Sequence, residues 1–247
     1  MEVREMRNKG TINQKVERMT IMVCCPIQNR EKILFRYLDS IYDLDYPKDQ
    51  IGLVFLENNS TDRTLALLDD FKFLNEQEYD RIDIIKVNTD FVDGLFNRGN
   101  FNAFATLRNE LVDWLDPGDT HMFSIDSDVL VPSHTLKQLL GNDKDICSIL
   151  VDNGKGFYNV LNWNDEKRLY VWCHPVKREL NQIDVTGAAW LIKRDVFNSG
   201  VRWGPSKQGE DVFFCEKAKA NGFEIWNDGR CEADHLKWDG ELWDYEF

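Results

Sequence analysis

The sequence contains no run of about 18 apolar residues, so we expect no helix of the printed chain to span a membrane. Residues 1–19 are charged throughout and lack the apolar core of a secretory signal. The six cysteines form no CxxC pair and show no metal-ligand spacing, and most of them lie in apolar stretches typical of strands. We therefore expect buried, reduced thiols in a cytoplasmic protein.

Three glycine motifs are missing as well. No P-loop, GxGxxG or GxSxG pattern occurs, which removes simple interpretations as a P-loop kinase, a dinucleotide-dependent oxidoreductase or an α/β-hydrolase. Basic residues are outnumbered, since 30 Lys and Arg stand against 43 Asp and Glu and give a net charge of −13. This charge disfavours nucleic acid and anionic membranes as partners without excluding them, because both are bound first through Lys and Arg.

Apolar patterning along the 247 residues alternates between buried-strand and helical types. The predicted strands cover 20–25, 51–56, 82–87, 121–125, 145–151 and 223–226. The predicted helices cover 31–42, 60–73, 101–115, 136–140 and 210–221. This alternation predicts an α/β fold, in which a mostly parallel central sheet is flanked by helices within one domain over 20–247. Residues 1–19 are expected to form an arm or short helix, and the short segments after residue 152 predict a smaller antiparallel part.

Asp126, Ser127 and Asp128 follow a buried strand pattern and give the sharpest chemical signal. Ligands of open α/β sheets lie at the carboxyl ends of the strands. Two carboxylates at such an end repel each other unless a cation lies between them, and Mg²⁺ or Mn²⁺ accepts oxygen ligands of this kind together with substrate phosphates. An ordinary turn is the competing interpretation.

Two further acidic residues and one histidine extend this signal. Glu210 and Asp211 open a predicted helix, where the positive end of the helix dipole keeps a carboxylate ionised and able to take a proton from a hydroxyl. Acidic residues also occur in first turns simply for helix stability. His235 follows the last predicted strand, and an imidazole there suits an oxygen-rich Mn²⁺ site better than a Mg²⁺ site. A surface or core histidine is the plainer alternative.

Polar and small residues follow other predicted strands. The loop 57–62, ENNSTD, offers donors and acceptors that can read a base and a ribose, or form an Asx turn and a helix cap. Residues 26–30, PIQNR, end the first strand and would line the same crevice. In the stretch 185–190, VTGAAW, small residues allow the backbone to approach a ligand closely. A tightly packed strand turn explains that stretch equally well.

The order of these motifs resembles that of a GT-A glycosyltransferase over about residues 20–235. The sequence runs from the strand-ending proline through ENNSTD, LRN at 107–109, DSD, TGAAW and GED to the final histidine. It is similar to the family 2 glycosyltransferases, whose VDDGSTD-type loop is matched by 56–62. The fungal mannan α-mannosyltransferases of the Golgi are also similar, through PIQNR, YP at 46–47, STD, RN, DSDVLVP, DKDI and YNVLNW.

The resemblance implies a transferase that uses a nucleotide-diphosphate sugar and a divalent metal, Mn²⁺ or Mg²⁺. It implies a nucleotide-binding half at about 20–130 and an acceptor-binding half at about 131–247. The metal ligands would be Asp126, Asp128 and His235. The nucleotide would be held by Pro26, Gln28, Asn29, Glu57, Asn58, Asp126, Ser127 and Gly187, with Arg98 and Arg108 as candidates for the diphosphate. Asp211 would be the catalytic base, and Glu210 would position the acceptor.

Departures from the family patterns leave several points open. Glu57 and Asn58 replace the usual pair of aspartates, so the base of the donor is open, with UDP expected before GDP. The mannosyltransferases retain configuration, whereas GED at 209–211 resembles the inverting pattern, so we predict inversion and keep retention as the alternative. A catalytically inactive module that binds a nucleotide sugar or a glycan is a third interpretation. The acceptor can be a glycan, a lipid, a protein side chain, a small molecule or a modified base.

Overall fold

The computed structural model describes residues 20–89, 98–154, 156–237 and 240–241. The α-helices within these ranges are α1 (Leu34–Tyr42), α2 (Thr64–Asn75), α3 (Arg98–Asp113), α4 (Thr135–Gly141), α5 (Arg194–Asn198) and α6 (Glu210–Ala220). The strands there are β1 (Thr20–Ile27), β2 (Ile51–Asn58), β3 (Arg81–Val87), β4 (Asp119–Ile125), β5 (Val129–Leu130), β6 (Ile146–Val151), β7 (Val160–Asn164), β8 (Leu169–Trp172), β9 (Leu180–Gln182), β10 (Val185–Thr186), β11 (Ala189–Lys193) and β12 (Ile225–His235). A short 3-10 helix spans Lys48–Gln50.

The central sheet has the strand order β3-β2-β1-β4-β11-β6-β12-β5, and β9 pairs with β12 outside this path. Strand β1 is parallel to β2 and β4, β2 is parallel to β3, and β6 is parallel to β12. Strand β11 runs antiparallel between β4 and β6. A second, antiparallel sheet has the order β10-β7-β8. The predicted α/β fold, with a mostly parallel sheet and an antiparallel part after residue 152, is confirmed.

Both faces of the central sheet are buried, because its inner strands carry apolar side chains on both sides. In β1, Ile21 and Val23 belong to one core cluster together with Tyr37 of α1. Met22, between them, belongs to a second cluster together with Leu111 of α3. This alternation follows the two-residue period of a strand. With helices on both faces, the ends of the strands are the places where polar side chains can meet a ligand.

The carboxyl ends of β1, β2 and β4 lie at one edge of the sheet, because these neighbouring strands are parallel. The register pairs Ile27 near the end of β1 with Glu57 near the end of β2. The loops that follow the three strands are therefore neighbours in space, although they are far apart in sequence.

The start of the second helix differs from the sequence prediction. Ser60 or Thr61 was expected to cap the helix, but α2 begins at Thr64. Asp62 is the physical reason, since its Oδ1 accepts a hydrogen bond from the backbone N–H of Thr64 at 2.9 Å. This side-chain contact competes with helical hydrogen bonding and holds the preceding residues in a turn.

The last strand is longer than predicted. It was expected to end at residue 226, but β12 continues to His235. After a register shift between Asp228 and Glu232, the strand pairs with the end of β6 and then with β5. His235 therefore ends the last strand instead of following it, and the sheet itself orients the imidazole.

Three sequence predictions concern the N-terminal arm, the two functional halves and membrane-spanning helices. The arm predicted for 1–19 lies outside the described residues, and the division into two functional halves stays a prediction. Over the part of the chain that the structure describes, no helix combines the length and the apolar character needed to cross a bilayer.

Candidate active site

A cavity of about 210 Å³ opens at the carboxyl edge of β1, β2 and β4. Its walls come from the ends of these strands, from α3 and from the first turn of α6. The site residues predicted from the sequence that line it are Pro26, Gln28, Asn58, Arg108, Asp126, Ser127, Asp128, Glu210 and Asp211. Five separate stretches of sequence thus contribute to one cavity.

Asp126 begins a tight turn after β4. Its backbone N–H donates to the carbonyl of Ala188 at 2.7 Å, and its own carbonyl accepts from the N–H of Val129 at 3.0 Å. Ser127 is buried, and its Oγ accepts a hydrogen bond from Nε of Arg30 at 3.1 Å. The turn expected as the alternative to a binding site is therefore present, and this turn is what brings the carboxylates to the cavity wall.

Asp128 and His235 face each other. His235 Nε2 lies 3.7 Å from Oδ1 of Asp128, while Oδ2 of the same carboxylate lies 4.0 Å from the Arg30 guanidinium. His235 Nδ1 lies 2.9 Å from the carbonyl oxygen of Asp152 and must donate to it. In a neutral imidazole this leaves Nε2 as an acceptor directed at a carboxylate. Burial raises the pKa of Asp128, while His235 and Arg30 act in the opposite direction.

The pair formed by Asp128 and His235 suits a divalent metal ion. Two acceptor groups in this arrangement need a cation or a proton between them, and the hydrogen bond to Asp152 is the second contact typical of metal-binding histidines. The third predicted ligand, Asp126, is engaged differently, since its Oδ1 accepts from Arg108. Among the residues described, no group of three or more His, Cys, Asp or Glu side chains has a metal-binding arrangement.

Arg108 lies at the centre of the acidic cluster and is only 2% exposed. Its Nη2 donates to Asp126 at 3.1 Å, and its Nε lies 3.7 Å from Oε1 of Glu210 and 3.7 Å from Oδ1 of Asp211. Burial lowers the pKa of Arg108, but Asp211, Asp126 and Glu210 raise it more, so its pKa lies above the ordinary value. One buried guanidinium thus joins the end of β4 to the start of α6.

The two carboxylates at the start of α6 carry raised pKa values. Burial and the neighbouring Asp211 raise the pKa of Glu210 to about 8, against the opposing effect of Arg108. Burial also raises the pKa of Asp211, again against Arg108. A carboxylate with a raised pKa is a stronger base than an exposed one. The raised pKa values favour the protonated forms, which differs from the expectation that the helix dipole keeps these carboxylates ionised, because burial outweighs the dipole.

Gly187 allows Asp211 to occupy its position. A Cβ atom at residue 187 would collide with Oδ2 of Asp211, so only glycine lets the backbone pass beside this carboxylate. The sequence prediction placed Gly187 near a ligand because small residues permit close approach. The structure shows the close approach, and the partner it shows is Asp211.

The predicted nucleotide loops interlock through hydrogen bonds. Gln28 Nε2 donates to the carbonyl of Asn58 at 2.7 Å. Asn29 adopts a φ of 50°, and its Oδ1 accepts from the backbone N–H of Thr61 at 2.9 Å. Glu57 is buried and accepts from the N–H of Ser60, which closes its own loop. These contacts make a preformed rim, and the contact of each residue with a nucleotide stays a prediction.

Three arginines belong to segments near the site, and the structure describes the contacts of two of them, Arg30 and Arg108. Arg98 begins α3, but its side chain lies outside the description, so its predicted contact with a diphosphate is open. Arg108, the other predicted diphosphate contact, is seen holding carboxylates. Arg30 ends the segment PIQNR at 26–30, which the sequence analysis expected to line the crevice. It lines the cavity and approaches Asp128.

Aromatic residues at the site were missed. Phe101 and Phe104 of α3 line the cavity, and Trp203 donates its indole N–H to Asp211. The sequence signal for the two phenylalanines was their helical spacing, which also suits an ordinary core. No sequence signal linked Trp203 to Asp211, because only packing brings these residues together.

The fold is that of the GT-A glycosyltransferases, as three similar solved structures show. TarS from S. aureus in complex with UDP has a TM-score of 0.60 and 18% identity, covering 87% of this chain and 59% of that one. Mannosyltransferase PcManGT from Pyrobaculum calidifontis in complex with GDP-Man and Mn²⁺ has a TM-score of 0.58 and 15% identity, with 87% and 56% covered. GalNAc-T7 with UDP, GalNAc and Mn²⁺ has a TM-score of 0.64 and 15% identity, with 89% and 43% covered.

The chain belongs to the Anp1 family, whose sequence profile matches residues 2–170. A comparison with curated proteins gives no match. The chain spans less than two thirds of the length of the solved structures named above. The GT-A fold implied by the sequence resemblance is confirmed. The substrates of this protein and the roles of its site residues stay predictions.

Proposed function

We propose that this protein is a metal-dependent glycosyltransferase that moves a sugar from a nucleotide-diphosphate sugar to an acceptor hydroxyl. One observation carries the proposal. The strand-end carboxylates Asp126 and Asp128 and the helix-start carboxylates Glu210 and Asp211 line the same cavity. The first pair lies where a diphosphate is bound in open α/β sheets, and the second offers a base for the incoming hydroxyl.

The charge of the cavity supports the use of a divalent cation. The described residues that line it include four acidic side chains and two basic ones, Arg30 and Arg108. Asp128 and His235 would hold the ion, with Asp126 beside them. Bound there, the ion would supply neutralisation of the charge that develops on the leaving diphosphate. Mn²⁺ suits an imidazole ligand better than Mg²⁺ does. Mn²⁺ also occurs in two of the similar solved structures.

The nucleotide would lie against the rim made by the loops after β1 and β2. Gln28 and Asn58 line the cavity and are joined by a hydrogen bond, so their polar atoms are already ordered before a ligand arrives. We place a UDP-sugar first and a GDP-sugar second. Similar solved structures hold UDP, UDP-GlcNAc and GDP-Man.

Asp211 is the proposed base, and inversion is the proposed stereochemistry. The acceptor hydroxyl would pass its proton to Asp211 while its oxygen bonds to the anomeric carbon and the bond from that carbon to the diphosphate breaks. Glu210 would orient the acceptor beside it. The second candidate is retention of configuration, which the resemblance to fungal mannosyltransferases favours. The anomeric configuration of the product, read by NMR, separates the two.

Two exposed aromatic side chains outside the cavity favour a glycan over the other acceptors considered. Phe157 and Trp172 are 46% and 58% exposed, and their rings meet edge to face at 5.7 Å. Exposed aromatic rings of this kind stack on the apolar faces of sugars. The loop that carries Phe157 is anchored to the site, since Asp152 contacts His235 and Asn159 Nδ2 donates to the carbonyl of Gly187 at 2.8 Å.

A thermal-shift panel tests the proposal directly. Purified protein is melted with UDP, GDP and their sugars, each with Mn²⁺ and with EDTA. A ligand that binds only the native state raises the melting temperature, so the expected result is a shift that requires both nucleotide and Mn²⁺. Release of nucleotide from the selected donor then distinguishes an enzyme from a binding module. A chain that binds no nucleotide sugar under either condition contradicts the proposal.

A further inference from the structure

Asp211 has one oxygen held by an indole. Trp203 Nε1 donates to Asp211 Oδ1 at 3.0 Å. The same oxygen lies 3.7 Å from Nε of Arg108, while Oδ2 lies against Gly187. The two oxygens of this carboxylate therefore have different surroundings. The hydrogen bond to Trp203 restricts the rotation of the carboxylate, so that each oxygen keeps its own set of contacts.

Trp203 is itself held by α3. Asn109 Nδ2 donates to the carbonyl of Trp203 at 2.9 Å, and Asn109 Oδ1 accepts from the N–H of Trp203 at 2.9 Å. The neighbouring residue in α3 is Arg108, which contacts Asp211. Two consecutive residues of α3 thus locate Asp211, one directly and one through Trp203.

Packing restricts the indole further. Trp203 is 3% exposed, and its ring stacks on Phe214 with centroids 4.1 Å apart and an interplanar angle of 21°. Gly204 follows it, and a Cβ at that position would meet the ring of Phe213 at 2.6 Å. An indole confined in this way donates along one direction only, which suits a fixed hydrogen bond to a reacting group.

We infer that Trp203 is a positioning residue, which holds Asp211 in the orientation needed to take a proton from the acceptor. This inference rests on the proposed function and adds to it a residue that the motifs did not indicate. The general reason is geometric, since a small displacement of a catalytic group can cost on the order of 100-fold in rate.

The same aromatic cluster provides a matched control. Trp190 packs against Trp203 with centroids 5.8 Å apart and against Phe214 at 5.3 Å. Its Nε1 is buried without a hydrogen-bond partner among the described residues. Replacing either tryptophan by phenylalanine removes a similar volume, but only the change at 203 removes a hydrogen bond to Asp211.

The experiment compares Trp203→Phe, Trp190→Phe and Asp211→Asn. The assay is Mn²⁺-dependent release of nucleotide from UDP-sugars and GDP-mannose, with melting temperatures measured in parallel. We expect Trp203→Phe to lower kcat by about 10- to 100-fold while the KM for the donor stays within about twofold. Trp190→Phe should keep kcat within about twofold, whatever it does to the melting temperature. Asn109→Ala, which loosens Trp203 but keeps its indole, should lower kcat by less than Trp203→Phe.

The outcomes separate the inference from the proposed function. Equal losses of kcat in Trp203→Phe and Trp190→Phe would overturn the positioning role, because packing alone would then explain both. If Trp203→Phe does not fold, an unchanged kcat in Asn109→Ala overturns the role in the same way. Near-normal release by Asp211→Asn would instead remove Asp211 as the base. Absence of release from the unmodified chain would remove the proposed transferase together with this inference.

Discussion

Arg108 Nη2 donates to Asp126 Oδ1 at 3.1 Å, across the boundary between α3 and the turn that follows β4. The sequence resemblance assigned both residues to the donor, Arg108 through the diphosphate and Asp126 through the nucleotide and the metal. Their direct contact means that the guanidinium is a structural counter-charge for the acidic cluster in the form described here.

Removing the Arg108 charge should destabilise the fold. Arg108→Met leaves the buried Glu210 and the partly buried Asp126 and Asp211 without a counter-charge, and breaking a buried ion pair on one side costs about 3–5 kcal/mol. The loss should be largest at alkaline pH, since these carboxylates can neutralise themselves only by taking up protons. Urea unfolding of the variant and the unmodified chain at pH 5.5 and pH 8.5 measures this loss of stability. Arg36→Met, at the partly buried Arg36 outside the cluster, is the control. An equal loss at both pH values would contradict the expected electrostatic origin.

The proposed metal ligands Asp128 and His235 should be separable by mutation from the rest of the site. Asp128→Asn and His235→Ala should each reduce the Mn²⁺-dependent thermal shift seen with nucleotide, because each removes one side of the pair 3.7 Å apart. Isothermal titration with Mn²⁺ and UDP or GDP checks the affinity. The exposed His134 provides a control, since His134→Ala should leave the shift unchanged. Full Mn²⁺ dependence in both site variants would show that the ion lies elsewhere.

Glu210 should make stability depend on pH in the absence of metal. Its pKa is raised in the folded state to about 8, whereas the unfolded side chain titrates at about 4.3. The folded state therefore binds more protons than the unfolded state between these values. The contribution of Glu210 to the free energy of unfolding should be largest below about pH 4.3 and should be lost as pH rises through about 8. In EDTA, Glu210→Gln should flatten this part of the profile, measured as the free energy of unfolding against pH. A slope equal to that of the unmodified chain would show that another group is responsible.

Gly187 should be intolerant of a side chain because of Asp211. Gly187→Ala places a Cβ against Asp211 Oδ2, so the carboxylate must shift, and nucleotide release should fall by about 10-fold or more. A Cβ atom added at Gly141, at the end of α4, would meet no atom within 4 Å, so Gly141→Ala should leave nucleotide release unchanged. If Gly187→Ala releases nucleotide as fast as Gly141→Ala, the close packing on Asp211 has no role in turnover.

Several elements of the fold were predictable because their signals are local. Apolar runs identified β1 and β2, since a strand buried on both faces needs apolar residues at consecutive positions. Helical spacing identified α1 and α3. The boundaries at Thr64 and His235 were wrong because a side-chain hydrogen bond from Asp62 and pairing with distant strands decided them.

The sequence indicated many of the residues that line the cavity, but it indicated few of the contacts between their side chains. Asp126, Asp128 and Asp211 were predicted to share a site because their carboxylates follow a strand or open a helix, and all three line the cavity, while their roles stay predictions. Arg30 was expected to line the crevice as part of residues 26–30, and it lines the cavity, but Trp203 was not identified. An indole is ordinary in the sequence, and Trp203 contacts Asp211 only because the loop before α6 packs against that helix.

By itself, the sequence determined the alternation of strands and helices and the residue types available at their ends, because hydrophobic period and side-chain chemistry are properties of short segments. Tertiary structure alone decided which charges meet. It placed the guanidinium of Arg108 among three carboxylates, turned His235 towards Asp128 and set Trp203 against Asp211. Such contacts depend on distances of a few ångströms between residues up to about a hundred positions apart, and only the packed sheet and helices determine those distances.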